Sequence, residues 1–280
     1  MKVIPVCFCG NRRIFGGIFM TVLSMIKYTD AALEIILMTM DLSHLNPTWL
    51  AFTEQQRVLM EKTIQKKNPH STVRINDVTD LQMKYFDGGK TQKNNYTPYA
   101  SIRLLLDLVD VPDKLVYLDA DIMCCGNIEE YYDIDIEKYE FAATLDVVGR
   151  KFFKGNYCNS GVMLYNMPYI RRTGLFGKAR EQVRKRTMLM PDQSALNKMC
   201  EAKLVLPYRF NEQREIHPDT VFKHFCMGFK WRGPILTSYN HKQWHRDMVH
   251  EKLHIHDFDD IYEEYDRIME EESNKELIKI

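Results

Sequence analysis

The opening of the chain constrains the fold more than any other feature. Val3 to Cys9 is an uninterrupted apolar run closed by Gly10 and Asn11, which is typical of a strand buried on both faces. Such a strand needs a sheet covered by helices on both sides. Apolar residues then recur at helical spacing from Ile18 to Ile26, so the chain is predicted to begin as strand, turn and helix.

The same alternation of strands and helices continues along the chain. Further strands are predicted at Leu33–Met38, Thr72–Ile75, Leu115–Leu118, Phe141–Leu145 and Gly161–Tyr165. Helices are predicted at Phe52–Lys66, Tyr99–Val109, Asp192–Cys200 and Asp260–Glu272. This order favours a doubly wound α/β sheet. Residues 79–97 are polar and contain Gly88-Gly89-Lys90, so we expect a mobile loop that acts as a lid.

The composition excludes several classes of protein. The 280 residues contain 38 basic and 38 acidic side chains, so there is no overall field to hold nucleic acid. A transmembrane helix would need a run of about 18 apolar residues, and the sequence contains none. The first apolar run is too short for a signal peptide. The seven cysteines form no CxxC pair, which favours reduced thiols. We expect a cytoplasmic protein, with any peripheral docking at a membrane supplied by a partner.

Two aspartates follow a predicted buried strand. Leu115–Leu118 leads directly into Asp119-Ala120-Asp121, and Ile122-Met123 is apolar again. Alternation along a strand points both carboxylates to one face, where they can reach a single ion. The carboxyl ends of strands in open α/β sheets bind ligands, and a divalent cation there can neutralise a diphosphate leaving group. The same pattern also occurs by chance in solvated turns, but its apolar flanks favour a metal site.

Several segments in this order resemble glycosyltransferase family 8, the group that contains bacterial lipopolysaccharide galactosyl- and glucosyltransferases and glycogenin. The segments are Cys9-Gly10-Asn11 with Gly17–Tyr28, then Thr97–Leu104, Leu115–Asp121, Asn159–Asn166, Pro191–Asn197 and Arg209–Asn211. The resemblance implies a GT-A-type nucleotide-diphospho-sugar transferase fold with a Rossmann-like mixed sheet flanked by helices. It also implies a retaining hexosyltransferase that uses UDP-glucose or UDP-galactose and a carbohydrate acceptor.

The resemblance further implies Mn²⁺ as the cofactor, with Mg²⁺ as the alternative. In relatives the two motif aspartates and a histidine near the C-terminus hold the ion, and these roles fall here on Asp119, Asp121 and His224. Two carboxylates and a neutral imidazole suit Mn²⁺ better than Ca²⁺. His254 and His256 are the rival candidates, and His224 could instead be a core histidine.

The donor is expected to contact five residues that match family positions. Gly10 and Asn11 end the first strand near the nucleotide, although Asn11 replaces the usual aspartate. Arg103 and Asn159 are expected to contact the donor, because a guanidinium can hold phosphate or hydroxyl groups and an amide can both donate and accept. Lys242 is the preferred diphosphate lysine, and Lys230 with Trp231 is the alternative.

Asp192 and Gln193 are the expected catalytic residues. The resemblance puts Gln193 near the β face of the anomeric carbon and Asp192 on the sugar hydroxyls, with no nucleophile assigned. Asp192 could instead be a first-turn acid that stabilises a helix start.

We expect one GT-A-like catalytic domain over residues 1–250, followed by a helical extension over 251–280. Residues 1–125 would form the nucleotide and metal half and 126–250 the sugar and acceptor half. No GxGxxG or GxxxxGK[ST] motif follows a predicted strand, which disfavours a dinucleotide oxidoreductase or a P-loop enzyme. A scaffold that binds a nucleotide sugar without transferring it is the alternative function. The acceptor, the choice of glucose or galactose, and the oligomeric state are left open.

Overall fold

A computed structural model describes residues 2–87, 98–151, 153, 155–188, 190–232 and 235–277. The strands in these ranges are β1 Val3–Gly10, β2 Ala32–Thr39, β3 Thr72–Asp77, β4 Lys114–Leu118, β5 Ile122–Cys124, β6 Phe141–Thr144, β7 Val162–Asn166, β8 Lys203–Leu206, β9 Phe222–His224, β10 Gly228–Arg232 and β11 Ile235–Tyr239. The α-helices are α1 Phe15–Tyr28, α2 Glu54–Lys67, α3 Thr79–Phe86, α4 Glu129–Tyr132, α5 Met167–Thr173, α6 Leu175–Lys185, α7 Pro191–Met199, α8 Arg246–Met248 and α9 Asp259–Leu277. A long 3-10 helix covers Pro98–Leu108, and a π-helical turn covers Val249–Leu253.

Seven strands form one mixed sheet in the order β3-β2-β1-β4-β7-β6-β8. β1 to β4 run parallel within it, whereas β7 is antiparallel to both of its neighbours, β4 and β6. β6 therefore points the same way as β4, and their carboxyl ends meet the same edge of the sheet. The predicted α/β fold with a mixed sheet flanked by helices is confirmed.

The buried first strand divides its side chains between two cores. Ile4, Val6 and Phe8 pack with α1, α2 and α9, whereas Cys7 and Cys9 pack with the 3-10 helix, α6 and α7. This alternation is the reason why the strand is apolar at almost every position.

The polar segment 79–97 differs from the loop expected for it. Thr79–Phe86 forms α3, and residues 88–97 lie outside the described residues. At the start of this helix, the carboxylate of Asp77, the last residue of β3, accepts the backbone N–H of Thr79 at 2.9 Å. Gln82 and Phe86 are buried on the inner face of α3. The polar composition of this segment did not predict the helix, because the burial of Gln82 depends on tertiary packing.

The region predicted as a helix over Tyr99–Val109 is helical, but with the tighter 3-10 geometry over Pro98–Leu108. Such runs usually span only three or four residues. The segment buries Tyr99 and the stretch Ser101–Leu106 against the second core, so its packing compensates for the poorer hydrogen bonds.

A small antiparallel sheet connects the C-terminal half to the aspartate pair. β5 pairs with β9 so that Ile122 lies opposite His224. The backbone N–H of Phe225 donates to the carbonyl of Asp121 at 2.9 Å. These contacts bring residues about 100 positions apart to the carboxyl end of β4.

The C-terminal helix α9 packs on α1. The ring of Tyr265 meets Phe19 edge-on, with 6.0 Å between the ring centroids.

The division of the chain at residue 250 stays a prediction. Within the described ranges, no helix is both long enough and apolar enough to cross a membrane.

Candidate active site

Asp119 and Asp121 lie where β4 leaves the sheet. The backbone N–H of Asp119 donates to Gly161 O at 2.8 Å, which continues the pairing of β4 with β7. The hydroxyl of Tyr117 donates to Asp119 Oδ1 at 2.8 Å. The Asp119 side chain remains 28% exposed and that of Asp121 12% exposed, so both carboxylates border an accessible edge.

Arg103 is buried between two carboxylates. Its Nη2 donates to Asp119 Oδ1 at 2.7 Å and its Nη1 donates to Ser160 O at 2.5 Å. Its Nε lies 3.0 Å from Asp192 Oδ2 without the alignment of a hydrogen bond. The guanidinium also lies 4.2 Å from the centroid of the Tyr117 ring. Arg103 thus holds the two acidic residues in place, and its contact with a donor stays a prediction.

Asp192 and Gln193 open α7 and are both buried. Burial raises the pKa of Asp192 above its usual value, and the Arg103 guanidinium offsets part of that rise. The Gln193 amide is fixed at both ends: its Oε1 accepts the backbone N–H of Ser160 at 2.9 Å, and its Nε2 donates to Asp146 Oδ2 at 3.0 Å. The side chain is therefore held in one orientation.

Asp121 lies between two groups from the C-terminal half. Lys242 Nζ donates to Asp121 Oδ2 and, at 3.1 Å, to the carbonyl of Phe225. His224 Nε2 lies 3.3 Å from Asp121 Oδ1. Although burial by itself raises the pKa of Asp121, His224 and Lys242 hold that pKa well below its usual value. The side chains of Lys230 and Trp231, the alternative to Lys242, lie outside the described part of the structure.

Asp119, Asp121 and His224 can each direct one ligand atom to a common point. These atoms all lie within 4.8 Å of one another. Two carboxylate oxygens and one imidazole nitrogen are a suitable ligand set for Mn²⁺. The rival candidate His256 lies in a separate group with His250 and Asp259. The structure therefore brings His224, and not His256, to the aspartate pair.

A chain of amide side chains determines which nitrogen of His224 carries hydrogen. The backbone N–H of Gly161 can only donate, so its partner at 2.8 Å is the oxygen Asn159 Oδ1. The group of Asn211 that lies 2.9 Å from that oxygen is its NH₂. Asn211 Oδ1 therefore faces His224 Nδ1, at 3.0 Å. Nδ1 donates to Asn211, which leaves Nε2 as the nitrogen that faces Asp121 and that can bind a metal ion.

This orientation supports a cation between His224 and Asp121. Nε2 lies 3.3 Å from Asp121 Oδ1, and an ion that binds there would take the lone pair of the neutral ring together with this carboxylate oxygen. The ligand set and the tautomer together fit a divalent metal ion.

Asp146 anchors the opposite end of the amide chain and was not among the predicted site residues. Its carboxylate accepts Asn159 Nδ2 at 2.9 Å, Gln193 Nε2 at 3.0 Å and the backbone N–H of Val148 at 3.0 Å. Its position had a signal in the sequence, because Asp146 directly follows the predicted strand Phe141–Leu145. An acid at the carboxyl end of a strand is the same feature that identified Asp119.

Gly10 ends β1, which lies beside β4 in the sheet, and Asn11 follows it. Asn11 Oδ1 accepts the backbone N–H of Arg13 at 3.1 Å and so caps the short helical turn that follows. Both residues are buried in the structure. Their contact with a nucleotide stays a prediction, as does the contact of Asn159 with the sugar.

The fold is that of the GT-A glycosyltransferases. The galactosyltransferase LgtC, crystallised in complex with donor and acceptor sugar analogues, is similar with a TM-score of 0.63 and 17% identity, covering 92% of this chain and 95% of that chain. An active-site mutant of LgtC gives a TM-score of 0.66 and 18% identity, covering 93% and 96%.

Residues 5–230 match the model of Glycosyl transferase family 8. The chain therefore belongs to glycosyltransferase family 8.

Two curated relatives agree with this assignment. A protein of Haemophilus influenzae named as a glycosyltransferase is 27% identical over 188 residues, which cover 61% of this chain and 55% of that protein. The lipopolysaccharide 1,2-glucosyltransferase of Escherichia coli is 30% identical over 145 residues, covering 40% and 42%. The chain thus spans about half the length of these relatives.

Proposed function

We propose that the protein is a retaining hexosyltransferase that uses a UDP-sugar and Mn²⁺ and acts on a carbohydrate acceptor. The observation that carries this proposal is the convergence of Asp119, Asp121 and His224, with ligand atoms within 4.8 Å of one another at the carboxyl end of β4. Mg²⁺ is the alternative ion, because carboxylate oxygens also suit it.

Asp119, Asp121 and His224 would hold the ion. When bound, a divalent cation stabilises the negative charge that develops on the diphosphate leaving group. Lys242 would add a second positive charge, since its ammonium already lies at Asp121 and can turn from the carboxylate to a phosphate oxygen. Asn211 would keep the His224 lone pair directed at the ion.

We assign the sugar side of the site to Asp192 and Gln193. Both are buried, and they lie next to Asp119 through the shared contact with Arg103 and the Ser160 backbone. Asp192 would accept hydrogen bonds from sugar hydroxyls. Gln193 would keep one orientation during the reaction, because Ser160 and Asp146 hold both ends of its amide. A side chain that is already held in its working orientation does not have to reorganise when the reaction takes place.

Thermal unfolding with UDP, UDP-glucose and UDP-galactose, each with Mn²⁺ or EDTA, tests the donor site. A ligand that binds only the folded protein raises the melting temperature, so we expect a rise that needs both UDP and Mn²⁺. Asp121→Asn and His224→Ala should remove the rise, whereas His256→Ala should keep it. Asp30→Asn is the matched control, because the Asp30 side chain is 93% exposed. A rise in EDTA equal to that in Mn²⁺ would contradict the metal assignment.

Release of UDP distinguishes the enzyme from a scaffold. An enzyme should release UDP from one of the two UDP-sugars faster when an acceptor is present, whereas a scaffold would bind the donor without turnover. Retention is read from the anomeric signal of the product by NMR, where an α-linked product from an α-linked donor supports the proposal. An inverted product would reject the retaining mechanism and leave the donor site intact.

We further propose that the acceptor is a glycan of the lipopolysaccharide or capsule class. The support is the relative in Escherichia coli, which is named as a lipopolysaccharide 1,2-glucosyltransferase. A panel of oligosaccharides with terminal glucose, galactose or heptose, followed by mass spectrometry, should give a product one hexose heavier for at least one member. Transfer to a protein side chain alone would contradict this class.

A further inference from the structure

Two histidines and an aspartate form a second cluster in the C-terminal part of the chain. His250 Nε2 lies 2.7 Å from Asp259 Oδ1, and His256 Nδ1 lies 3.3 Å from Asp259 Oδ2. One ligand atom from each of the three residues lies within 4.8 Å of the others. None of these side chains contributes to the glycosyltransferase site described above.

An unusual backbone brings the two histidines together. The π-helical turn Val249–Leu253 ends at His254, whose φ of 57° is in the left-handed region. A non-glycine residue in that region is strained and is often found at functional sites, as are π-helical turns. The result is that the rings of His250 and His256 stack with 4.5 Å between their centroids and 22° between their planes.

The stacked rings place two imidazole nitrogens beside the single carboxylate of Asp259. Two protonated imidazoles at this separation would repel each other, and Asp259 supplies only one negative charge. Two neutral imidazoles, by contrast, can each direct a lone pair at an ion that also meets the carboxylate. The cluster combines two nitrogen ligands and one carboxylate, a set that favours Zn²⁺ over Mg²⁺ or Ca²⁺.

We propose that His250, His256 and Asp259 bind a transition-metal ion of the Zn²⁺ class, separately from the glycosyltransferase site. The three side chains are 32%, 64% and 45% exposed, so water can complete the coordination and the ion can exchange. Because Asp259 is the first residue of α9, the ion fastens the start of this helix to the turn that precedes it. α9 in turn packs on α1 through Tyr265 and Phe19.

Zn²⁺ titration against a chromogenic chelator tests the site in the full chain. The background carries Asp119→Asn and Asp121→Asn, which removes the carboxylates of the first site. In this background we expect one equivalent of Zn²⁺ to bind, and His256→Gln to weaken that binding at least about tenfold, since a metal ligand is lost. His256 is exposed, so this substitution should leave the melting temperature in EDTA unchanged.

His254→Asn is the matched control. It removes a histidine from the same seven-residue tract while asparagine tolerates the left-handed backbone. Zn²⁺ affinity should be unchanged in this variant. Equal weakening by His254→Asn and His256→Gln would mean that an unstructured histidine tract binds the ion, and unchanged affinity in His256→Gln would place the ion elsewhere. Either result would overturn the proposal.

Hydrogen exchange provides a second measurement that does not depend on affinity. Zn²⁺ should slow exchange of the backbone amides in the first two turns of α9, and His256→Gln should remove this protection. Zn²⁺ binding without any protection at the start of α9 would contradict the assignment of Asp259 as a ligand.

Discussion

Replacement of Asn211 by leucine should weaken Mn²⁺ binding although it removes no metal ligand. Asn211 accepts the Nδ1 hydrogen of His224 at 3.0 Å and donates to Asn159 at 2.9 Å. Leucine has a similar volume but no polar atoms, so His224 loses the partner that fixes its tautomer and its ring orientation. The imidazole could then present either nitrogen to Asp121 and Asp119.

The magnitude follows from the two lost hydrogen bonds. Loss of a partner that holds a ligating histidine typically costs about 10–100-fold in metal affinity. The two buried groups left unpaired, His224 Nδ1 and one acceptor site of Asn159, cost about 1–3 kcal/mol each. We therefore expect the free energy of unfolding of the metal-free variant to fall by about 2–6 kcal/mol.

Isothermal titration with Mn²⁺ and NMR of ¹⁵N-labelled histidine measure the two effects separately. In the metal-free wild type, the ¹⁵N shifts of His224 should report hydrogen on Nδ1, and in Asn211→Leu they should report a mixture of tautomers. Asn211→Asp keeps the acceptor oxygen and should retain the Nδ1 hydrogen and most of the affinity. Asn166→Ala removes a half-buried amide at the opposite end of β7, so it should lower stability without any change in affinity.

The reasoning would be refuted by an Asn211→Leu variant that is folded, has a single Nδ1 tautomer and binds Mn²⁺ as tightly as wild type. That result would mean that the ring orientation is set by packing alone. Gly161 would be the next residue to test, because a Cβ at this position would lie 2.3 Å from His224 Cε1.

Three further predictions follow from the ion pairs of the site. Arg103→Leu leaves Asp119 and Asp192 without their shared cation and should lower the free energy of unfolding by about 3–5 kcal/mol. Urea titration measures this change, and a loss below about 1 kcal/mol would contradict the shared ion pair. Lys242→Met should weaken UDP binding, whereas Mn²⁺ alone should bind at least as tightly as in wild type, because the ammonium no longer competes for Asp121. Calorimetry with each ligand measures both affinities. An unchanged UDP affinity would argue for another diphosphate lysine. Because burial raises the pKa of Asp192, ionisation disfavours the folded state, so wild type should lose stability relative to Asp192→Asn as pH rises from the ordinary carboxyl pKa of about 4 to the raised value. Denaturant titrations in EDTA across this pH window measure the difference in unfolding free energy between the two proteins. A gain in the stability of wild type relative to Asp192→Asn as pH rises would show that the attraction of Arg103 outweighs burial.

Local pattern was sufficient for the elements whose burial is visible in the sequence. β1 is a continuous apolar run, β2 is interrupted only by Glu34, β4 is apolar after Lys114, and α1 has helical periodicity, so each was predicted within a few residues. The position of Asp119 at the end of β4 followed from the same pattern. Neighbouring residues determine these features, and the order of motifs resembling glycosyltransferase family 8 agrees with the family to which residues 5–230 belong.

Elements whose burial depends on distant partners were not predicted. α3 has polar residues on its buried side, as Gln82 shows. β9 is only three residues long and includes the buried Lys223, whose ammonium donates to backbone carbonyls of Glu212 and Arg214. Neither segment has the apolar periodicity on which a prediction from sequence depends.

The sequence by itself determined the class of fold, the aspartate pair and the candidate residues on either side of it. Only the tertiary structure decided which of them meet. Asp121 and Lys242 are 121 positions apart, and the chain that links Asp146, Asn159 and Asn211 to His224 crosses several elements. The physical reason is that a strand or helix is set by neighbouring residues, whereas the direction of a lone pair on His224 is set by hydrogen bonds from distant parts of the chain.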